Sequence, residues 1–111
     1  MSCESTSDND LPAYKSGTTW PGMTSGAITF DYTEAATLTR LVLVFKRSTT
    51  TLLTLDSDDV DSIVTVNADW TYEVGTMTPL GISAGPCRIE MTATDSTGYV
   101  RDVGTYNQLI L

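Results

Sequence analysis

The chain has 111 residues, the length of one domain, and can bury a core without help from a metal or a disulfide. Its 6 Lys and Arg and 14 Asp and Glu give a net charge of −8, the wrong sign for a general nucleic-acid binder or for docking on an anionic membrane. The sequence has no histidine, which excludes Ser-His-Asp triads, the common zinc sites and haem ligation by His.

Residues 1–10, MSCESTSDND, are polar and acidic, so we expect a flexible N-terminal arm before a single domain over residues 11–111. The start lacks the basic and apolar regions of a secretory signal, and no stretch approaches 18 apolar residues. The sequence therefore predicts synthesis in a cytosol and no transmembrane helix. We expect Cys3 and Cys87 to be free thiols in that compartment, with a disulfide between them as the alternative.

The lead-in segment, residues 11–22, reads LPAYKSGTTWPG and precedes the first strand-like pattern. We interpret it as a clasp that opens a β domain. Trp20 closes one end of the domain, Pro21 keeps the chain extended, and Gly22 allows the turn. The alternative is a ligand site built on its two aromatic residues.

The rest of the chain is rich in Thr, β-branched and aromatic residues, and its helical periodicity is weak. Residues 32–40 predict a turn or at most one helical turn, because their three Thr are poor helix formers. The near-continuous apolar run at 39–47 predicts a central strand covered on both faces. The Pro- and Gly-rich stretch 77–86 predicts a connection between two sheets. The strand candidates are residues 26–32, 39–47, 50–57, 62–68, 69–75, 87–95 and 99–111.

The clearest strand signal is the alternation of apolar and polar residues over 87–95. Its predicted inward residues are Cys87, Ile89, Met91 and Ala93. The turn signal DSTG follows, so this strand and the last one should form a hairpin, with a kink at Gly104. The succession of short strands and turns predicts an all-β, antiparallel β-sandwich of about seven strands.

The acidic residues are candidates for a metal site or a catalytic site. The acidic stretch DSDDVD contains Asp56, Asp58, Asp59 and Asp61. These carboxylates could ligate calcium, but no Gly marks a sharp turn and no Glu closes the loop, so a solvated turn is the preferred interpretation and we expect no cofactor. Paired carboxylates could also act as in glycosidases, but the acids fall at turns and outward positions, so we expect no enzyme.

The strand charges expected to face outward and form cross-strand pairs are Arg47, Arg88, Glu90, Arg101 and Asp102.

Aromatic side chains are the candidates for an interface or a ligand site. They are Tyr14, Trp20, Trp70, Tyr72 and Tyr106. An exposed Trp or Tyr can stack on a sugar ring or anchor a protein interface. The preferred interpretation is that Trp20 and Trp70 fill the core or its ends, because a small domain needs large side chains to close it.

Two stretches resemble a known family of small immunoglobulin-like domains in tailed-phage and prophage structural proteins. Residues 11–22, followed by AITF, are similar to the opening pattern L-P-x-Y-x-x-G-D-T-W/F-P-G-x-x-F. Residues 81–103, GISAGPCRIEMTATDSTGYVRDV, are similar to the closing pattern L-x-A-G-x-Y-x-Y-x-I-x-x-T-D-x-x-G-x-V-R-T. The middle stretches, LVLVFKRS and LLTLDSD, match in type. The likeness covers most of residues 11–111 as a pattern rather than as identity.

This family resembles the N-terminal module of phage baseplate upper proteins, which attaches receptor-binding parts to the tail. The resemblance implies an immunoglobulin-like sandwich and a non-enzymatic virion protein of the tail, baseplate or fibre attachment. Its partners are expected to be other virion proteins and copies of itself, with the last strand and the arm as contact elements. No catalytic or metal residue carries over. The chain departs from the family where Thr18 or Thr19 replaces an Asp and where Cys87 replaces an aromatic residue.

Other functions remain open. A capsid decoration protein is a close variant of the same structural role. A carbohydrate-binding module belongs to a different class and would engage host glycans through Trp20, Trp70 or Tyr72, provided that one of these rings is exposed. A calcium-dependent adhesive module is a third alternative.

Overall fold

The computed structural model describes residues 10–28 and 36–111. These residues form strands and no helix, so the described part of the chain has no helix that could cross a membrane. The strands are β1 (Met23–Ala27), β2 (Leu38–Arg47), β3 (Thr50–Asp56), β4 (Val64–Val66), β5 (Thr71–Val74), β6 (Gly85–Asp95) and β7 (Val100–Ile110).

The strands form two antiparallel sheets, with the order β3-β2-β6-β7 in one and β1-β5-β4 in the other. Buried side chains from both sheets join one hydrophobic core, including Leu43 and Phe45 of β2 and Tyr72 and Val74 of β5. The described chain is therefore all-β and antiparallel, as the sequence pattern predicts. Its architecture is consistent with a β-sandwich.

Strand β2 lies between β3 and β6, which confirms the prediction of a central strand. Its core face is fully buried and consists of Leu41, Leu43 and Phe45. The prediction that both faces are covered is wrong, because Val42 and Val44 on the other face are only half-buried. Their cross-strand neighbours on β6 are Thr92 and Glu90. Branched valines suit a pleated, half-buried surface of this kind as well as a core, so an apolar run does not distinguish the two.

Strand β6 alternates as predicted. Its four predicted inward residues are buried, and the residues between them are half-buried. It pairs with β7 as a hairpin, and the register shifts where Met91 faces Gly104 and Thr92 faces Asp102. Val103 is therefore an extra residue on β7, a β-bulge next to the predicted kink.

Other strand boundaries differ from the predicted ones. The strand expected over residues 26–32 is β1, which begins earlier, at Met23, and ends at Ala27, while residues 29–35 lie outside the described part of the chain. Residues 32–35 of the turn predicted at 32–40 lie outside it too, whereas residues 38–40 belong to β2 rather than to a turn. Trp70 was expected in a strand with Tyr72, but it lies in the turn before β5 with a φ of 68°.

Residues 77–86 link β5 in one sheet to β6 in the other, as predicted. Leu80 and Ile82 from this connection are buried in the core. The Arg47 guanidinium at the end of β2 donates hydrogen bonds to the carbonyl oxygens of Ser83 (2.8 Å) and Pro86 (2.9 Å). These contacts tie the connection to the end of β2 in the four-stranded sheet.

Candidate interaction surface

Four of the five exposed large apolar side chains of the described chain lie on strand β7 or next to its ends. Tyr99 is 61% exposed, Val100 57%, Leu109 46% and Leu111 60%. The fifth such residue is Val60, which lies in the turn after β3. Solitary exposed apolar residues are normal, but four on one edge element mark it as a candidate contact surface.

Strand β7 is an edge strand whose two halves differ. Its last residues are covered by residues 10–16, which run parallel to it. The N–H groups of Leu11 and Tyr14 donate to the carbonyl oxygens of Asn107 and Leu109, both at 2.9 Å. Within residues 10–28 and 36–111, no strand pairs with the outer side of its first half. Such an open half is a template for pairing with another chain.

The lead-in segment acts as a clasp on the end of β7. Trp20 is 1% exposed, packs edge-on against Phe45 at 5.6 Å between ring centroids, and donates its indole N–H to Gln108 Oε1 at 3.0 Å. Gln108 is buried and donates from Nε2 to the carbonyl oxygen of Pro12 at 2.9 Å. The Tyr14 hydroxyl donates to the carbonyl oxygen of Thr18. The placement of Trp20 agrees with the interpretation of this segment as a clasp.

The turn between β6 and β7 is organised by one buried carboxylate. Asp95 Oδ1 accepts hydrogen bonds from the Thr97 hydroxyl (2.5 Å) and from the backbone N–H groups of Thr97 (2.9 Å) and Tyr99 (3.2 Å). These donors, the Thr97 hydroxyl first, hold the pKa of Asp95 below its ordinary value. Gly98 provides the left-handed position of this turn, with a φ of 89°.

The predicted outward orientation of Arg101 is wrong. Its side chain is 11% exposed and pairs through Nη2 with Asp95 Oδ2 at 2.6 Å. Its guanidinium carbon lies 5.4 Å from the centroid of the Trp70 ring and 4.7 Å from that of Tyr99, within the range of cation–π contacts. The bulge at Val103 is the physical reason, because one extra residue reverses the face to which all earlier residues of the strand point.

Trp70 is half-buried beside this ion pair. It ends a three-residue loop closed by a hydrogen bond from the Asn67 N–H to the Thr71 carbonyl oxygen, at 2.9 Å. The last residue of such loops adopts a left-handed conformation, which usually suits glycine. The Trp70 indole N–H donates to the carbonyl oxygen of Ala36 at 3.0 Å, so the ring joins the loop before β2 to the closing hairpin of β6 and β7.

The remaining aromatic candidates offer little open ring surface. Tyr14 and Tyr72 are each 4% exposed, and Tyr106 is half-buried. The hydroxyls of Tyr72 and Tyr106 lie 3.4 Å apart, and burial raises the pKa of Tyr72 above its ordinary value. A buried ring has no face for a sugar to stack on, so Tyr14, Trp20 and Tyr72 do not form a stacking platform.

The acidic residues 56–61 form a turn around an ion pair. Arg40 donates from Nη2 to Asp56 Oδ2 at 2.5 Å and lies 3.5 Å from Asp58 Oδ2, and this pairing lowers the pKa of Asp56. Asp56 Oδ1 also accepts from the backbone N–H of Asp58, as in a capped turn. In the described ranges, no three acidic or thiol side chains are grouped so that they could hold a metal.

Cys87 is a buried thiol that donates to the carbonyl oxygen of Gln108 at 3.3 Å. Burial raises its pKa, which keeps it protonated and poorly reactive. Cys3, its alternative disulfide partner, lies outside the described residues, as do Phe30 and Tyr32, the aromatic residues of the strand predicted over 26–32. An outward cross-strand pair joins Lys46 Nζ of β2 to Glu90 of β6 at 3.4 Å. Arg88 Nε lies 2.7 Å from Glu90, but both residues belong to β6, so Arg88 pairs along its own strand rather than across strands.

Sequence reasoning did not select Tyr99, Val100, Leu109 or Leu111 as candidate contact residues. The last strand candidate has apolar residues on both of its faces, and nothing in the local sequence marks which face is exposed. Only the position of β7 at the edge of the sheet shows that these side chains lie along one edge strand. Strand length gives no signal either, because the central strand β6 and the edge strand β7 both have 11 residues.

Comparisons of the chain with models of protein families, with curated proteins and with solved structures found no match. A functional proposal therefore has to rest on the geometry above and on the resemblance in the sequence patterns.

Proposed function

We propose that this protein is a non-enzymatic structural component of a phage virion. It is an immunoglobulin-like module in the tail, baseplate or fibre-attachment apparatus, and it works through protein–protein contacts. The observation that carries the proposal is the exposure of Tyr99 and Val100 at the start of β7, whose first half has an open edge among the described residues. Strand addition to such an edge is a common mode of protein association.

The strand order supports the immunoglobulin-like part of the proposal. Variable-type immunoglobulin domains place strands C′, C, F and G in one sheet and strands B, E and D in the other. The order β3-β2-β6-β7 corresponds to C′-C-F-G, and β1-β5-β4 corresponds to B-E-D. On this assignment the seven strands of the described chain are the seven strands of the sandwich.

The resemblance gains support from what its matched residues do. In the opening pattern, Tyr14 and Trp20 are buried, and Gly22 has a φ of 75°. In the closing pattern, Asp95 and Arg101 form the buried ion pair that fixes the last turn. The pattern therefore selects residues that build the ends of the sandwich rather than residues of a catalytic site.

The proposal is tested on virus particles released by lysis of the source cells. We expect the protein to remain with the particles through density-gradient centrifugation, and an antibody against it to label the tail in electron micrographs. Protein found only in the soluble lysate contradicts the proposal. Label on the head contradicts the tail placement and supports the capsid decoration variant.

A matched pair of variants tests whether β7 is the contact. Val100→Lys places a charge on the open half of β7, where lysine blocks strand pairing. Thr65→Lys places the same charge on an exposed residue of β4, the edge strand of the other sheet. We expect only Val100→Lys to be absent from particles, with both variants folded by circular dichroism. Normal incorporation of Val100→Lys rules out the β7 contact.

A further inference from the structure

The outer face of the four-stranded sheet contains a groove of about 390 Å³. It lies where β2 ends, β6 begins and β7 ends. We call it the basic groove, and its main lining residues are Lys46, Arg47, Pro86, Arg88, Asn107 and Leu109. Three of the six Lys and Arg residues of the chain line this one depression.

The basic groove is a local exception to the charge of the protein. Lys46, Arg47 and Arg88 contribute three positive charges, and the adjacent Glu90, which pairs with two of them, contributes one negative charge. Asp10, whose Oδ1 accepts a hydrogen bond from the lining residue Asn107 at 2.8 Å, adds a second negative charge. The local sum is +1, whereas the whole chain has a net charge of −8. Arg47 is held in place by its bonds to the connection 77–86, so its charge is fixed at the rim.

A feature of complementary character lies elsewhere on the same chain. The acidic turn, residues 56–61, carries Val60 at its tip, and this side chain is 91% exposed. Its neighbours Asp59 and Asp61 are exposed carboxylates, and Asp58 is 61% exposed. The tip is thus an apolar side chain with carboxylates on both sides, whereas the groove is a partly apolar depression whose charged lining residues are Lys46, Arg47 and Arg88.

The acidic turn and the basic groove of one molecule lie at opposite ends of β2. Val42 pairs with Asp56 at the end next to the turn, and Lys46 pairs with Thr51 at the end next to the groove. Four residues of strand separate these positions by about 13 Å, and the turn extends further away. A hydrogen-bonded sheet does not fold back on itself, so the two features can meet only between two molecules.

We propose that the acidic turn of one copy of this protein docks in the basic groove of the next copy. Val60 packs on Leu109, while Asp59 and Asp61 face Arg88 and Lys46. The contact joins two different surfaces, so it is head-to-tail and builds a ring or a filament of copies. It uses a different surface from the open half of β7 and goes beyond the function proposed above.

The dependence of association on salt tests the electrostatic origin of the contact. The repulsion between two chains of charge −8 is spread over the molecule and is screened beyond about 10 Å at 0.1 M salt, whereas pairs in contact are not. We therefore expect sedimentation velocity to show self-association near 0.1 M salt, with a dissociation constant that rises about tenfold toward 1 M. A contact between two acidic faces would strengthen with salt instead.

Two variants, each of which keeps a different one of the two surfaces, provide the decisive test. Arg88→Glu removes the groove and keeps the turn, and the double variant Asp59→Ser with Val60→Ser removes the turn and keeps the groove. We expect each to be monomeric alone and their equimolar mixture to form a dimer that grows no further, because only one functional turn and one functional groove remain. Lys15→Glu changes the net charge as Arg88→Glu does, outside the groove, and should associate like the unchanged protein.

A protein that stays monomeric at about 1 mM and 0.1 M salt overturns the inference. So does an equimolar mixture of the two variants that forms no dimer. Val100→Lys, the variant that blocks the open edge of β7, should leave this self-association unchanged. Val100→Lys can be absent from particles while it still self-associates in a salt-sensitive way, or it can be present in particles while it does not self-associate. Either outcome separates the proposed function from this inference.

Discussion

Trp70 is a residue whose backbone and side chain have opposing preferences. A bulky residue in the left-handed region costs about 1–2 kcal/mol relative to an ordinary conformation, and glycine would avoid that cost. The indole ring offsets it by hydrogen bonding to Ala36 and by lying against the Arg101 guanidinium. The strained residue thus marks the point where two loops and the closing hairpin join.

Glycine positions allow a controlled prediction at the same scale. Gly22 and Gly17 both have positive φ values, 75° and 88°. A Cβ on Gly22 would lie 2.2 Å from the Val74 carbonyl oxygen, whereas a Cβ on Gly17 would meet nothing within 4 Å. We expect Gly22→Ala to lower the free energy of unfolding by about 3–5 kcal/mol and Gly17→Ala by about 1 kcal/mol.

Urea denaturation of both variants measures these free energies. The comparison separates two costs in unfolding free energy. The left-handed backbone conformation is common to both glycines, whereas the close approach to β5 applies, of the two, only to Gly22. Equal losses in the two variants would show that the lead-in segment does not press against β5 as described.

At the scale of elements, β7 is held by the lead-in segment through one buried amide. Gln108 accepts from Trp20 and donates to Pro12, so Gln108→Leu leaves a buried N–H and a carbonyl without these partners. We expect a loss of about 1–3 kcal/mol in unfolding free energy, the cost of the buried Trp20 N–H left without a partner. The near-ultraviolet circular dichroism of Trp20 should also weaken.

Asn107→Ala is the neighbouring control. Asn107 is exposed and makes a side-chain bond to Asp10 at 2.8 Å, so its replacement should change stability by about 0.5 kcal/mol or less. If Gln108→Leu is as stable as this control, the clasp does not depend on the buried amide.

The closing hairpin shows what was and was not predictable for an element. The alternation in β6 could be predicted from the sequence because its period is two and its polar residues separate the apolar ones. The opposite orientation of Arg101 was not readable, because the single extra residue Val103 is defined only by pairing with β6. Once paired, the bulge places the guanidinium against Asp95 rather than in solvent.

For the whole molecule, several carboxylates contribute to a dependence of stability on pH. The groups whose pKa lies below its ordinary value are Asp56, Asp69, Glu90 and Asp95. Their ordinary values are 3.8 for Asp and 4.5 for Glu, so their contribution is fully present above those values and is lost as the pH falls through the lower folded-state values. We expect the melting temperature to fall steadily below about pH 4.

Scanning calorimetry between acid and neutral pH measures this fall. Asp95→Asn should lower the melting temperature at neutral pH and make the acid decrease shallower, because the variant has lost one of the contributing carboxylates. Asp102→Asn, at an exposed position of β7, is the control for removing a negative charge. A melting temperature that stays constant down to strongly acidic pH contradicts the assignment of this pH dependence to the four carboxylates.

The sequence by itself determined the all-β class, the strand pattern and the closing hairpin, because alternation and turn residues are local properties of the chain. It also determined the excess of negative charge. Only the tertiary structure decided which strand is the open edge, which face Arg101 occupies, and that half of the basic residues share one groove. These features depend on which strands pair and in what register, and strand pairing joins residues that are distant in the chain.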